Sequence, residues 1–403
     1  MARNASAEIR RRPKDRKAQI ARAAAEAFSE LGYHGVSMEA IAARVDISAA
    51  ALYRHYAGKY ELFRGAVLGL GRQLVDGTDG IDGIDGTADE DPRQQFDVLV
   101  GALVDVALAN RTSGGLYRWE GRYLDDADQA ELLAQIGAVH DRLHRPLARL
   151  RPGLTRRQYL TLSTAVLSVV GSIVDHRVKL PAASVRELLI ELAGAVAAVE
   201  LPGEPAPAES PAASPAPAPD PSTYEALLRE SLILFHRHGY RDTSMEDIAA
   251  AVGIPASGIY KYFSGKADIL AAVFRRASDR VSGELATVVA SAADPHEALS
   301  GVIDSYVART FDQPELEYVY YTERLNMSAA DQRIVHDLQR SVVESWVELV
   351  VAVRPQWSRA QARFAVHAAM ALVIDLGRLQ RYPDTEQARA VVRRLVEAVL
   401  LGD

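Results

Sequence analysis

The chain has 403 residues, of which 48% are hydrophobic, which is enough for two packed domains and argues against a disordered protein. Cysteine is absent, which excludes disulfides and thiolate metal sites, and no apolar run reaches the roughly 18 residues that span a bilayer. The formal net charge is −7, which argues against a surface that binds polyanions throughout. The charged N-terminus lacks the apolar core of a signal peptide, so the expected location is cytoplasmic.

The N-terminal segment predicts three helices joined by tight connections. The apolar face of a first helix, about Lys14 to Leu31, ends at Gly32, which accepts the left-handed backbone that follows many helices. Ser37 suits the N-cap of a short second helix. Asp46-Ile47 forms the turn into a third helix, Ala49–His55, whose small side chains let a helix sit deep in the major groove of DNA.

The next part of the chain reads as helix with two interruptions. Apolar residues recur at spacings of three and four, which predicts amphipathic helices. The Gly/Asp-rich stretch Asp76–Pro92 is interpreted as a solvated loop, because its carboxylates lack the spacing of a calcium loop. Residues 201–221, LPGEPAPAESPAASPAPAPDP, form a Pro/Ala-rich linker, since proline removes backbone donors and nothing apolar is left to bury.

A second copy of the first half follows the linker. Gly32 and Gly239 lie 207 positions apart, and the two copies keep that offset as far as Lys59 and Lys266. YRWEGRYLDDADQ, which begins at Tyr117, aligns with YYTERLNMSAADQ 203 positions later. The change of offset implies a net loss of four residues from the second copy, so the whole unit was duplicated.

These patterns predict an all-α protein of two similar units, each a helix-turn-helix head followed by a helical body. We place the first head at 1–64, the first body at 65–200 and the linker at 201–221. The second head then occupies 222–271, and the second body occupies 272–403.

The heads resemble those of the TetR family of bacterial transcriptional regulators. The match rests on Ser-Met-Glu-x-Ile-Ala-x-x-Val in both copies, followed by an aromatic string at Leu52–Lys59 and Ile259–Lys266. The resemblance covers the chain outside the linker and implies a double-stranded DNA operator, repression by default, and no cofactor or metal. The tandem layout and the RRRPKDRK arm are similar to the tandem TetR-type repressors of mycobacterial mammalian-cell-entry operons, which implies lipid-metabolism genes as targets.

The family's DNA contacts carry over onto both heads. Tyr53 and Tyr260 would place a hydroxyl on a phosphate, and Lys59 and Lys266 would contact the DNA backbone from the start of the fourth helix. The remaining DNA-contacting candidates are Ser37, Ala49, Ala50, Ala51, Arg54 and His55 in head one, and Ser244, Ala256, Ser257, Gly258, Lys261 and Tyr262 in head two.

The two heads differ in charge. Residues 1–64 carry a net +5 and residues 222–276 a net +1. The excess comes from a basic arm, which would lie along phosphates or enter an AT-rich minor groove and which contains Arg10, Arg11, Arg12 and Lys14. Two unlike heads in one chain predict an asymmetric DNA site; the alternative is that head two has lost DNA binding and serves as an interaction module.

The bodies are expected to assemble and to hold an effector. The last two helices of each copy would form a four-helix bundle inside one chain, which holds the heads about 35 Å apart; the alternative is a homodimer of the long chain with four heads. The bodies have many apolar residues and few charged residues that would meet in one pocket, which favours a small hydrophobic effector such as a lipid or an acyl thioester. The candidate pocket residues are Trp119, Arg122 and Tyr123 in copy one, and Tyr318, Tyr321, Arg324 and Asn326 in copy two.

Other function classes have little support in the sequence. The chain lacks HExxH, a Gly-rich phosphate loop and GxSxG, so an enzyme is not predicted. His140 and His144 share a predicted helix face, but no third ligand is evident, so they are interpreted as surface residues rather than a metal site.

Overall fold

The computed structural model of the chain describes residues 13–81, 91–201, 222–383 and 385–402. Every regular element in these ranges is a helix, which confirms the predicted all-α class. Several predicted features lie outside the described residues: Arg10, Arg11 and Arg12, the side chain of Lys14, most of the Gly/Asp-rich stretch, and the linker apart from Leu201. None of the helices in the described ranges has the length and apolar character needed to cross a membrane.

Each copy contributes nine α-helices within the described ranges. Those of copy one are α1 (Pro13–Gly35), α2 (Met38–Arg44), α3 (Ala49–Leu52), α4 (Lys59–Gly77), α5 (Pro92–Ala109), α6 (Leu116–Trp119), α7 (Asp126–Leu150), α8 (Arg156–Gly171) and α9 (Ala182–Ala198). Those of copy two are α10 (Thr223–His238), α11 (Met245–Val252), α12 (Ala256–Ile259), α13 (Lys266–Ser291), α14 (Pro295–Asp312), α15 (Pro314–Glu323), α16 (Ala329–Val353), α17 (Arg359–Gln380) and α18 (Glu386–Leu400).

The chain divides into two compact units whose bounds differ from the two copies of the repeat. The first unit comprises Met1–Asp79 and Ala109–Val139, and the second comprises Gly80–Leu108 and His140–Asp403. Head one, α6 and the first part of α7 therefore belong to the first unit. The remaining helices of copy one fold in one unit with all of copy two. The five predicted segment bounds stay a prediction.

The core of the first unit joins head one to the helices that follow it. Ile20 and Phe28 of α1 are fully buried against Leu52 of α3 and Phe63 of α4. The same cluster includes Leu116 at the start of α6. Burying one large apolar side chain contributes about 1.5–3 kcal/mol, so these contacts fix the angles between the short helices of the head.

An equivalent core lies in the second unit under head two. Phe235 of α10 is fully buried with Ile259 of α12 and Leu270 of α13. Val319 of α15 joins the same cluster, in the way that α6 joins the cluster of copy one. Each head is thus built on its own apolar core, which includes residues from the body that follows it.

The predicted four-helix bundle is confirmed within the second unit. Helices α8 and α9 of copy one pack against α17 and α18 of copy two. Ala165 and Ala365 are fully buried, and such small residues let the helix backbones approach closely. The ring of His176 stacks on that of His367, with centroids 4.4 Å apart. Two segments of one chain, one from each copy, therefore make this bundle.

Candidate nucleic-acid interface

The turn of the helix-turn-helix has the same hydrogen-bond pattern in both heads. The Ile47 amide donates to the Ala42 carbonyl at 3.0 Å, and the Ile254 amide donates to its Ala249 counterpart at 3.0 Å. Both are the six-to-one bond of a Schellman cap, which requires a left-handed residue just before it. Asp46 (φ 54°) holds that position in head one and Gly253 (φ 74°) in head two. The predicted turn is therefore confirmed in both copies.

A glycine with positive φ interrupts α1 at Gly32 (φ 68°), and α10 ends at the equivalent Gly239 (φ 83°). The next helix begins at a serine cap, as predicted. The Ser37 hydroxyl accepts a hydrogen bond from the Ala40 amide at 3.1 Å. Ser244 forms a reciprocal capping box with Asp247, which satisfies two helix-end amides at once.

The third helix of head one is shorter than predicted. Helix α3 ends at Leu52 rather than His55, and its counterpart α12 ends at Ile259. Just beyond these points two amides in each head bond three residues back; the His55 amide, for example, donates to the Leu52 carbonyl at 2.9 Å. Such tighter bonds continue the chain as turns.

The predicted base-reading residues lie on one accessible surface in each head. Their backbone turns around two buried anchors, Leu52 and Tyr56 in head one, and Ile259 and Phe263 in head two. The exposed residues are Ala50, Arg54 and His55 in head one and Ala256, Ser257, Lys261 and Tyr262 in head two; Ala49, Ala51 and Gly258 are partly exposed. In this short segment the buried residues therefore pack against the head, and the exposed residues stay available to contact DNA.

The tyrosines predicted to contact phosphate are the most exposed aromatic residues of the two heads. The side chain of Tyr53 is 51% exposed and that of Tyr260 is 55% exposed. An aromatic ring this accessible contributes little to a core, so its hydroxyl is available to an acceptor such as a phosphate oxygen. The role of these hydroxyls on DNA stays a prediction.

The two lysines at the start of the fourth helix bind protein backbone. The Lys266 ammonium donates to the carbonyls of Tyr240 and Thr243, both at 2.6 Å, and to that of Arg241 at 3.2 Å. Burial lowers the pKa of Lys266 from its ordinary value. Lys59 makes a longer bond to the His34 carbonyl, at 3.5 Å. Each lysine thus closes the loop between the first two helices of its head, a structural role that the sequence did not indicate.

Two further basic residues of head one lie close to the recognition turn. Arg16 donates to the carbonyl of Val45 at 2.9 Å, and the Lys17 ammonium lies 5.9 Å from the centre of the Tyr56 ring. In head two, Tyr224 occupies the position of Lys17, and its ring stacks on Phe263, the counterpart of Tyr56, with centroids 5.3 Å apart. The repeat alignment signals this exchange, because a lysine in one copy aligns with an aromatic residue in the other.

The pocket candidates of copy one join the body to head one within the first unit. The ring of Tyr123 stacks on Tyr33 at 5.3 Å, and the Arg122 guanidinium lies 4.6 Å from the Tyr123 ring centre. Trp119 is buried next to Glu120, whose carboxylate accepts from the Tyr33 amide at 2.8 Å. These residues therefore couple head and body by direct packing.

The same unit carries a second link between head and body. The Asp128 carboxylate is buried between Arg64, at 2.5 Å, and the Tyr60 hydroxyl, at 2.7 Å. Burial alone would raise the pKa of Asp128, but the hydrogen bonds from Arg64 and Tyr60 lower it. Burial also raises the pKa of Tyr60 to about 12. An ionised Asp128 therefore ties α4 to α7 at neutral pH.

The pocket candidates of copy two separate into two groups. Tyr318 lines a cavity of about 230 Å³ together with His236, Pro314, Ile374, Arg378 and Tyr382. Arg324 donates to the Tyr321 carbonyl at 2.9 Å, and Asn326 donates to the Glu323 carboxylate at 2.9 Å. Tyr321, Arg324 and Asn326 therefore shape the end of α15 rather than this cavity.

The two histidines that share a face of α7 serve packing against α8 in the second unit. His140 Nδ1 lies 2.8 Å from the Ser163 hydroxyl, and burial lowers the pKa of this imidazole. The His144 ring packs edge-on against Tyr159, with centroids 4.5 Å apart. Among the described residues, no group of three or more potential metal ligands comes together.

Comparison with known proteins gives two matches of one kind within the chain. Residues 20–66 and residues 227–273 each match the family described as bacterial regulatory proteins, tetR family. Over 96 residues the chain is 38% identical to the HTH-type transcriptional activator FasR of Mycolicibacterium smegmatis, a match that covers 24% of this chain and 42% of that protein. Over 129 residues it is 27% identical to the HTH-type transcriptional repressor KstR2 of Rhodococcus jostii, covering 31% and 62% respectively. Each match spans less than two thirds of the relative's length.

Solved structures give further similarities that cover about half of the chain. One is the ketosteroid transcriptional regulator KstR2 of Mycobacterium tuberculosis, with 20% identity, a TM-score of 0.40, and coverage of 45% of this chain and 94% of that one. Another is a TetR-family transcriptional regulator from Bordetella parapertussis, with 18% identity, a TM-score of 0.40, and coverage of 44% and 94%.

Proposed function

We propose that the chain is a cytoplasmic TetR-family regulator that reads an asymmetric operator, because two of its segments, at residues 20–66 and 227–273, match that family. One chain supplies both reading heads, and a single chain occupies one double-stranded site. The observation that carries this proposal is the left-handed turn that both heads share, at Asp46 (φ 54°) and Gly253 (φ 74°), beneath unlike exposed residues. Two equivalent scaffolds with different side chains suit two different half-sites.

The bundle made by α8, α9, α17 and α18 supports the single-chain assembly. It buries within one chain the helices that would otherwise need a partner molecule. A spacing of about 35 Å between the heads would let them enter major grooves one helical turn apart. The competing arrangement is a homodimer of the long chain, which would present four heads to a palindrome.

We propose that the regulator is a repressor released by a small hydrophobic effector, a lipid or an acyl thioester. The matched relatives are an activator and a repressor by name, so they leave the sign of regulation to experiment. Lipid-metabolism genes are the proposed targets, on the basis of the tandem layout and the RRRPKDRK arm. A thermal-shift screen with fatty acyl and steroid thioesters tests the effector class; if none raises the melting temperature, this class is wrong.

A second candidate is a regulator in which head two is an interaction module. The low charge of head two and the aromatic Tyr224 at the position of Lys17 favour it. The exposed Tyr260 and Lys261 favour DNA binding instead.

One experiment separates these arrangements. Genomic fragments bound by the purified full-length chain are selected, the strongest is footprinted, and the mass of the complex is measured. One chain on two dissimilar half-sites is the expected result. Two chains on a palindrome would establish the four-head dimer. Protection of one half-site alone would establish head two as an interaction module.

Matched variants assign each half-site to its head. Tyr53→Phe with Arg54→Ala changes head one, and Tyr260→Phe with Lys261→Ala makes the equivalent change in head two. Each pair is expected to weaken protection of a different half-site. Loss from the same half-site in both variants would contradict an asymmetric reader.

A further inference from the structure

The cavity in the second unit lies where head two meets its body. Its wall includes His236, in the last turn of α10, and Pro314 and Tyr318 of α15. Ile374 and Arg378 of α17 form the opposite side. The volume of about 230 Å³ is the space of roughly eight water molecules, which suits a small organic molecule.

The remaining wall, Tyr382, is held in an unusual conformation. Both Arg381 (φ 61°) and Tyr382 (φ 46°) are left-handed, although neither is glycine. The Tyr382 ring lies directly on the backbone of Gly377, where a Cβ atom would overlap it, and its hydroxyl donates to the Ile374 carbonyl at 3.0 Å. Strained residues persist where their surroundings determine them, and they cluster at ligand clamps.

The lining of the cavity has one permanent charge and it is positive. Arg378 contributes a guanidinium with five donors, so it can serve a ligand in addition to its protein neighbours. Tyr318 contributes a hydroxyl, and burial lowers the pKa of His236, which favours the neutral ring. The carboxylates of Glu315, Glu317 and Asp375 influence the pKa of Tyr382 from nearby but do not line the cavity.

The rest of the lining is mostly aromatic rings and aliphatic side chains. The rings of His236 and Tyr318 lie edge to face with centroids 4.9 Å apart, and Phe311 supports the Tyr382 ring from outside at 5.5 Å. Ile374, which is buried, adds an aliphatic surface. Aromatic faces of this kind pack well against a planar ring.

We infer that this cavity binds a small aryl carboxylic acid, with the carboxylate on Arg378 and the ring against Tyr318 and Tyr382. The inference rests on the proposed function, and it assigns to this cavity a free acid that is distinct from the lipid or acyl thioester proposed as effector. A coenzyme A thioester lacks the free carboxylate, and its nucleotide portion exceeds the volume of the cavity. Because His236 belongs to α10, the bound acid contacts head two itself.

The inference assigns this acid to copy two. At the offset of 203 that aligns the bodies, Arg378 corresponds to Asp175, Tyr318 to Gly115, and Ile374 to Gly171. Copy one therefore replaces the cation by an anion and two wall residues by glycine. Copy one therefore lacks the arginine, the tyrosine and the isoleucine that would contact a carboxylate ligand.

Calorimetry on the full-length chain tests the site with three probes: phenylacetate, phenylacetamide and phenylacetyl coenzyme A. Phenylacetate is expected to bind about tenfold or more tightly than its neutral amide and its thioester, because the charge-assisted bonds need a carboxylate. Equal affinity for acid and amide, or no binding of the acid, would overturn the inference.

Matched variants locate the binding. Arg378→Gln is expected to weaken phenylacetate binding about tenfold or more. Arg381→Gln makes the same change of charge three residues away; Arg381 is exposed like Arg378 but lies outside the lining, so binding is expected to stay within about twofold of the parent. Equal losses in both variants would contradict the site. Gly377→Ala, which displaces the Tyr382 ring, is expected to weaken binding without removing a polar group.

Operator binding without ligand is measured separately on every variant. If the chain binds phenylacetate through Arg378 but binds no DNA, the proposed function fails and the site stands. If it binds an operator but no carboxylate, the site fails and the proposed function stands. Retention of the parent melting temperature by Arg378→Gln establishes that its loss of binding is local.

Discussion

Head one and head two have the same backbone framework and different surfaces. Both use a left-handed residue in the turn, at Asp46 and Gly253, and both cap the second helix with serine. Their outer positions differ: Lys17 beside Tyr56 in head one becomes Tyr224 on Phe263 in head two. The two copies therefore share the backbone conformation of the turn even where its residue differs, whereas the residues beside the buried anchors Tyr56 and Phe263 have diverged.

The difference extends to how each head is closed. Lys266 binds three backbone carbonyls at 2.6–3.2 Å, whereas the bond of Lys59 to the His34 carbonyl is longer, at 3.5 Å. Head one is the more positively charged, with a net charge of +5 compared with +1 for head two. We expect the two heads to contribute differently to DNA binding: head one by electrostatic attraction, and head two by a more rigid loop and contacts from aromatic residues. The following predictions test that difference.

Removing the basic arm should have the largest effect. Replacing Arg10, Arg11 and Arg12 by alanine is expected to lower the slope of log affinity against log salt by up to about three and to weaken operator binding roughly 100-fold at 0.1 M salt. A salt titration of operator affinity measures both quantities. Arg156→Ala with Arg157→Ala, two exposed arginines of α8, provides the control. An unchanged slope in the arm variant would contradict the claim that head one supplies the electrostatic attraction to DNA.

Removing the bonds from lysine to backbone carbonyls should affect head two more than head one. Lys266→Met removes the donor to three carbonyls and is expected to destabilise head two by about 1–3 kcal/mol. Lys59→Met is expected to cost less than about 1 kcal/mol, because its bond to the His34 carbonyl is long. Hydrogen exchange of amides in each head measures the local effect. Equal protection losses in the two variants would contradict the difference in loop closure.

The turn residues give a smaller and paired test. Gly253→Ala forces an alanine into the left-handed region and is expected to destabilise head two by about 1–2 kcal/mol. Asp46→Ala is expected to cost head one less than about 1 kcal/mol, because aspartate already carries part of that strain. Chemical denaturation monitored by exchange within each head provides the measurement. A larger effect in head one would mean that the Asp46 side chain has another role.

The exposed tyrosines should give the smallest effects. Tyr53→Phe and Tyr260→Phe each remove one hydroxyl and are expected to weaken operator binding by about 1 kcal/mol, or roughly fivefold. Neither is expected to change the melting temperature, since both rings are exposed. Fluorescence anisotropy with a labelled operator measures the affinity. An effect for Tyr53 alone would favour the alternative in which head two is an interaction module.

Local sequence signals predicted much of each head. Gly32 breaks α1 and Gly239 ends α10 because glycine adopts positive φ at little cost, and serine caps the second helix because its hydroxyl reaches a free amide. The helix lengths were less predictable: α3 ends three residues early, at Leu52, because the hydrogen bonds tighten from four residues to three.

The residues of the proposed acid-binding site could mostly not be predicted from the sequence. Tyr318 was the one pocket candidate that lines the cavity, and it is joined there by residues from α10, α17 and the turn after α17. Arg378 and Tyr382 belong to no motif, and Gly377 matters because of the ring that lies on it. Such relations arise between segments far apart in the chain, where no spacing rule applies.

The sequence by itself determined that the chain is all-helical, that its unit is duplicated, and that each copy begins with a TetR-type head. These properties depend on periodicity, caps and turns, which act over a few residues. Tertiary structure decided that α8 and α9 pack with α17 and α18, that Lys59 and Lys266 serve backbone carbonyls, and that copy two has the described cavity. Each of these results depends on which surfaces meet when apolar area is buried, and that is a property of the whole folded unit.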